Sequence, residues 1–156
     1  MIVEGQKIEY RNIISKYYTF IPTEMQLAID DFFETIRENK LTPNGSFFYS
    51  INTYNQKDTS EPILAEFFLP VQENNVEIDM EILNFRTYFA VSDMIMTRID
   101  HDFENKTLES YGKLLEYTDK QGMELTAPFF HLLKIMDDIS YLQIYLGATR
   151  IFEYQK

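Results

Sequence analysis

Residues 46–54 read SFFYSINTY and residues 128–136 read PFFHLLKIM, and each is followed by a second strand-like run, ILAEFFLPV at 63–71 and YLQIYLGA at 141–148. The two stretches align residue against residue. Phe47-Phe48-Tyr49 matches Phe129-Phe130-His131 at an offset of 82, and Phe32-Phe33 matches Leu114-Leu115 at the same offset. Glu66-Phe67-Phe68 matches Gln143-Ile144-Tyr145 at an offset of 77, as does Ile13-Ile14-Ser15 with Ala90-Val91-Ser92. The offset falls where the polar loop 55–62 of the first half is answered by the shorter 137–140 of the second. Self-similarity of this kind is the mark of a duplicated unit.

Working outward, each pair of runs is preceded by a helical pattern. Over residues 24–40, Met25, Ala28, Ile29, Phe32, Phe33 and Ile36 recur at three- and four-residue spacing, which predicts a helix with one apolar face. Thr23 is placed as its N-cap, with Gln26 three residues on and Pro22 before it. Over residues 108–121, Leu108, Tyr111, Leu114, Leu115 and Tyr117 form the apolar side, and Gly122 stands where a left-handed C′ residue is needed. Extended segments rich in β-branched and aromatic residues, 8–20 and 85–96, precede the helices.

The predicted class is therefore α+β: a tandem β-α-β-β repeat with pseudo-two-fold symmetry. Its antiparallel-rich sheet would carry both main helices on one face, since one repeat cannot bury its apolar side alone. Residues 1–156 are expected to form one domain, with half-repeats of about 1–75 and 76–156. The join falls near 72–79, where the alternation of Val76, Ile78, Met80 and Ile82 admits a further strand.

Composition narrows the function. The chain has 156 residues, 45% hydrophobic, with 13 Phe and 11 Tyr but no Trp, a heavy aromatic load that needs a core, a groove or an interface. Its net charge of −11 argues against nucleic acid and anionic lipid as partners and favours cationic molecules or basic protein surfaces. With no cysteine, thiolate chemistry and disulfides are excluded. No signal peptide or membrane-spanning stretch is readable, so a cytoplasmic location is the default expectation.

Strand alternation sorts side chains onto two faces. Ile63, Ala65, Phe67 and Leu69 suit packing under a helix, leaving Leu64, Glu66, Phe68 and Pro70 on the other side. In the second half Leu142, Ile144 and Leu146 face the helix and Tyr141, Gln143, Tyr145 and Gly147 face away. Matched strands thus set a polar group beside an aromatic: Glu66 with Phe68, Gln143 with Tyr145. On an open sheet Glu66 would be a solvated acid. Enclosed by Phe68, Tyr49 or Tyr145, its charge would require a partner or a cationic ligand.

The double β-α-β-β plan, Tyr111-x-x-Leu114-Leu115-x-Tyr117, the turn from Gly122 to Pro128 and the closing Gln143-Ile144-Tyr145-Leu146-Gly147 resemble the GyrI-like superfamily, over about residues 1–149. That superfamily includes gyrase-inhibitor-like proteins and the effector-binding domains of multidrug-responsive regulators. The resemblance implies an aromatic groove between the halves that reads cationic or amphipathic ligands beside an acidic residue. It also brings hydrolase activity known in some relatives. Here the second-half position is Gln143, which is neither charged nor a general base. No DNA-binding segment precedes the domain, so a complete one-component regulator is not expected.

Two readings follow. The leading one is a non-enzymatic small-molecule binding module with a groove built from Tyr49, Glu66, Phe68, Gln143 and Tyr145, needing no cofactor or metal. The alternative is an adaptor, chaperone or inhibitor that binds a protein with a basic or amphipathic segment, as a monomer or a homodimer. Other titratable residues carry less. His101, between Asp100 and Asp102, reads as a solvated cluster, and His131 as a satisfied core or sheet-edge histidine. Asp30-Asp31 and Asp137-Asp138 read as helix surface and hairpin turn, without the interleaved loop of a calcium site. Neither a phosphate loop nor a nucleophile elbow is present.

Overall fold

A computed structural model describes residues 1–51 and 61–151; the end of the expected 46–54 strand and most of the polar loop after it lie outside that range. Six strands, all antiparallel in their described pairings, and two long helices give an α+β fold. In chain order they are β1 (Val3–Phe20), α1 (Met25–Glu38), β2 (Phe48–Ile51), β3 (Ile63–Pro70), β4 (Asn84–Ile99), α2 (Phe103–Lys120), β5 (Met123–Met136) and β6 (Ile139–Arg150).

The chain divides into two compact units. One is Glu9–Ala90; the other joins Met1–Ile8 to Val91–Lys156. The first ten residues of the chain are thus split between the units, as is β4, so the unit boundaries fall inside long strands rather than in the join. Near these boundaries β1 and β4 each contain a left-handed residue, Asn12 at φ 55° and Asp93 at φ 53°. Asn and Asp are the side chains that tolerate this region best after glycine.

In the unit Glu9–Ala90, β3 lies between β1 and β2, pairing Tyr17 with Glu66 and Phe48 with Phe68. One sheet face packs under α1: Ile14, Ala65, Phe67 and Leu69 close against Ala28, Phe32 and Ile36. Phe32 is fully buried, and its ring meets Tyr18, Phe47 and Phe67 edge-on or tilted at 5.9–6.4 Å between centroids. Phe33, expected in the core, is 38% exposed, because it lies one position round the helix from Phe32. Thr23 does not cap α1. Pro22–Glu24 enter as a single 3-10 turn, Glu24 takes the cap position without a side-chain bond, and the Gln26 amide donates forward to Asp30.

The join contains no strand between 72 and 83. Val76 and Ile78 pack on the core and Leu83 is buried, while Met80 and Ile82 remain exposed. Alternating side chains dip into the core here, but the amides of Ile82 and Leu83 are taken by the Asp79 carbonyl, which makes a turn where a ladder would be needed.

The other unit repeats the plan. β6 lies between β4 and β5, and α2 packs on β5 and β6. The helix begins at Phe103, earlier than its apolar periodicity indicated, and buries Ser110, Tyr111, Leu114 and Thr118; Leu108 stays 44% exposed. Ala28, Phe32 and Ile36 of α1 correspond to Ser110, Leu114 and Thr118 at the offset of 82, so the duplication holds in the buried positions. Gly122 takes φ 64° after α2, as its place predicts. His131 is a core histidine, bonded to the Tyr111 hydroxyl. Asp137 and Asp138, both at positive φ, form the two-residue turn between Met136 and Ile139. One alignment shifts. Ile13 pairs with Pro70 and Met94 with Gly147, so Ile13 corresponds to Met94 rather than to Ala90. At that offset of 81 Ile14 aligns with Ile95, and the left-handed Asn12 aligns with the left-handed Asp93.

Glu4 ties the start of β1 to the rest of its unit. It accepts bonds from Arg150, at 2.5 and 3.0 Å, and from the Tyr117 hydroxyl. These bonds, Arg150's first, hold its carboxyl down at about 2. A folded-state pKa below the unfolded value of 4.5 means that the contribution to stability is complete above about pH 4.5 and disappears as pH falls through 2. Glu4→Gln is therefore expected to melt below the parent protein at pH 7 and level with it near pH 2, measured by circular dichroism. A constant gap across that range would contradict the assignment.

Candidate functional site

The sheet face of Glu9–Ala90 turned away from α1 carries the chemistry. Strand parity puts Ser15 and Tyr17 of β1, Glu66 and Phe68 of β3, and Phe48 and Ser50 of β2 on it. Phe48 and Phe68 stack at 4.7 Å with their planes 6° apart. Phe89 lies 4.9 Å from Phe68, and Tyr10 stacks on Phe48 at 5.3 Å. Ordinary sheet propensity accounts for these positions, since aromatic cross-strand pairs stabilise antiparallel neighbours.

Glu66 sits at one end of this aromatic array. It is 6% exposed, so the solvated-acid reading does not hold. Its Oε2 has no hydrogen-bond partner among the described residues, and neither has the buried Oγ of Ser15 on the same face. A buried carboxylate oxygen left without a hydrogen bond costs on the order of 1–3 kcal/mol or more unless something compensates it. The compensation present is partial: Arg86 Nη2 lies 3.6 Å from Oε2, beyond hydrogen-bond length, with its side chain 40% exposed. The Arg86 guanidinium also sits 5.6 Å from the centre of the Phe89 ring. Tyr17, directly across from Glu66, has its phenol pushed up by burial, by the Glu66 charge and by a side-chain hydrogen bond to Glu66, so the carboxylate has a neighbour in Tyr17 although its Oε2 is unsatisfied.

Of the five residues expected at a binding face, Glu66 and Phe68 stand together here. Tyr49 does not join them. It is one position along from Phe48, so it faces α1 with Phe47 and Phe67, where burial raises its phenol pKa. The face beside Glu66 is furnished instead by Phe48, Phe89, Tyr17 and Arg86. In the other unit Gln143 and Tyr145 share the face away from α2, and the Tyr145 hydroxyl donates to Gln143 Oε1 at 2.9 Å. Arg98, paired with Gln143 in the register, lies 5.0 Å over the Tyr141 ring. That face holds a cation and an amide where its counterpart holds an acid.

Other features are weaker candidates. An open cavity of about 560 Å³ lies against α2, lined in part by Arg98, Lys106, Lys113 and Lys120. Its lysines are already paired with Glu109 and Glu116 at 2.7–4.0 Å. His101 and Asp100 contact each other at the surface, both more than 70% exposed. Among the described residues no cluster of His, Asp and Glu is arranged to hold a metal, and no helix is long and apolar enough to cross a membrane.

Residues 9–148 match the family model described as "Domain of unknown function (DUF5085)". The chain belongs to that family. No curated protein matches it. Among solved structures, the fold is similar to the EcmrR C-terminal domain (12% identity, TM-score 0.62, covering 94% of this chain and 98% of that one). It is similar also to EcmrR in a complex with DNA (13%, TM-score 0.66), where it covers 97% of this chain and spans 58% of that one. A third is SAV2435 bound to tetraphenylphosphonium (13%, TM-score 0.51, covering 94% of each chain). Likeness at such identity is likeness of fold alone.

Proposed function

We propose that this DUF5085 member is a non-enzymatic binding module, working as a single GyrI-like domain, for an amphipathic or cationic small molecule. The observation that carries the reading is the buried Glu66 carboxylate, whose Oε2 has no hydrogen-bond partner among the described residues, at the end of the Phe48–Phe68–Phe89 array. A cation placed there gains a carboxylate in a low-dielectric setting and an aromatic face at once. The ligand-bound structure of a protein of similar fold supports the choice of probe, since tetraphenylphosphonium is a cation with aryl groups. Gln143 and Tyr145 hold the corresponding positions of the other unit, where the Tyr145 hydroxyl donates to Gln143. The net charge of −11 weighs against nucleic acid as a direct partner.

The test is a thermal-shift series with tetraphenylphosphonium, the neutral triphenylphosphine oxide and an aryl sulfonate. Binding to the folded state raises the melting temperature with ligand concentration. The phosphonium is expected to stabilise the protein and the other two are not, and Glu66→Gln is expected to remove at least about nine-tenths of the gain in affinity, a tenfold change being about 1.4 kcal/mol. Equal shifts in the parent and in Glu66→Gln would overturn the assignment. Absence of any shift would favour a protein partner, for which the exposed Leu133, Ile135 and Ile139 at the end of the β5–β6 hairpin are the first surface to probe.

A further inference from the structure

We infer that Arg86 is a tethered competitor for the Glu66 site, an internal cation that an incoming ligand must displace. The inference rests on the reading of that face as a cation site. Arg86 meets both features a ligand would use, the buried carboxylate at 3.6 Å and the Phe89 ring at 5.6 Å. It meets neither well. A strong arginine–carboxylate pair is a bidentate fork at about 2.7–2.9 Å, and here Glu66 Oε2 accepts no hydrogen bond from the described residues.

This geometry explains how a buried acid is tolerated with its Oε2 unsatisfied. The nearby guanidinium lowers the cost of the charge while staying half in solvent, with the Glu66 side chain 8% exposed and the Arg86 side chain 40% exposed. Swinging Arg86 outward gives up a loose, partly solvated ion pair and a cation–π contact with Phe89, each a small loss. The displaced side chain keeps its hydration, and the carboxylate and the Phe89 face become available together. Apparent affinity is then the intrinsic affinity reduced by the fraction of molecules with Arg86 swung out. Arg86 therefore weakens the apparent affinity of every cation by the same factor.

The experiment is calorimetric titration of the full chain with tetraphenylphosphonium. Arg86→Met is expected to bind about fivefold more tightly than the parent, and Arg11→Met, the same charge change at an exposed site, to bind as the parent does. Adding Glu66→Gln to Arg86→Met is expected to abolish binding. Equal affinity of parent and Arg86→Met would overturn the competitor role and leave the binding reading standing. Equal tightening by Arg86→Met and Arg11→Met would overturn it as well, by showing a field effect only. No heat of binding in any of these proteins would overturn both readings together. If Arg86→Met melts below the titration temperature, Arg86→Lys carries the test, because a lysine keeps the charge but loses the planar fork; about twofold tighter binding is expected, and an unchanged affinity would count against the inference.

Discussion

Phe32→Ala is expected to lower stability by about 3–5 kcal/mol, the range for deleting a buried phenylalanine, and to lower the melting temperature by about 6–20 °C. Phe32 is the residue on which the α1 core converges. It has no exposed surface and contacts Tyr18, Phe33, Phe47 and Phe67 through their rings. Four aromatic neighbours are too rigid to close over the cavity that Ala would leave, which places the loss toward the upper end. Phe33→Ala, one residue on and 38% exposed, is expected to cost well under half as much. Denaturant unfolding of the two variants provides the comparison. Equal losses would mean that the helix is not seated as described.

Gly147→Val is the second large effect, and it acts by crowding. A Cβ at position 147 would fall 2.4 Å from the Ala127 Cβ and 2.7 Å from the Ala127 backbone nitrogen. The backbone contact has no rotamer by which to yield. Ala127 lies between the two register shifts of β5, so β5 approaches β6 most closely where the glycine stands. Overpacking costs about 1–3 kcal/mol when side chains alone must move, and here the strand must move too, so a loss of about 3 kcal/mol or more is expected. Combining Gly147→Val with Ala127→Gly is expected to recover only part of the loss, since the backbone nitrogen remains in the way. Full recovery would show that the clash is between side chains alone. Wild-type stability of Gly147→Val would contradict the close approach.

Much of this was legible in the sequence because buried positions repeat. Phe32 with Leu114, Phe48 with Phe130 and Phe68 with Tyr145 are matched pairs in the structure as they are in the alignment, and the helix-facing set Ile63, Ala65, Phe67 and Leu69 follows directly from strand parity. Tyr49 was misplaced for the same reason that the others were placed well. In a period-two element one residue decides the face, and the match of Tyr49 with His131 already put it on the helix side. The shift from Ala90 to Met94 had a faint mark, the identity of Ile14 with Ile95, while the left-handed backbone at Asn12 and Asp93 leaves no trace in hydrophobic pattern.

The neighbours of Glu66 were hidden for a different reason. Tyr17 is brought opposite it by pairing across 49 positions of sequence, and Arg86 arrives from β4, which reads as one more apolar extended run. A lone arginine between Phe85 and Phe89 was the signal, and it gains meaning only once the carboxylate beneath it is known to be buried.

The most direct test of the central claim is to follow the aromatic and arginine resonances of the full chain by nuclear magnetic resonance as tetraphenylphosphonium is added. The account predicts saturable shifts concentrated on Phe89, Phe68, Tyr17 and the Arg86 side chain, all absent in Glu66→Gln. Shifts elsewhere with that group unmoved, or an identical pattern in Glu66→Gln, would contradict it.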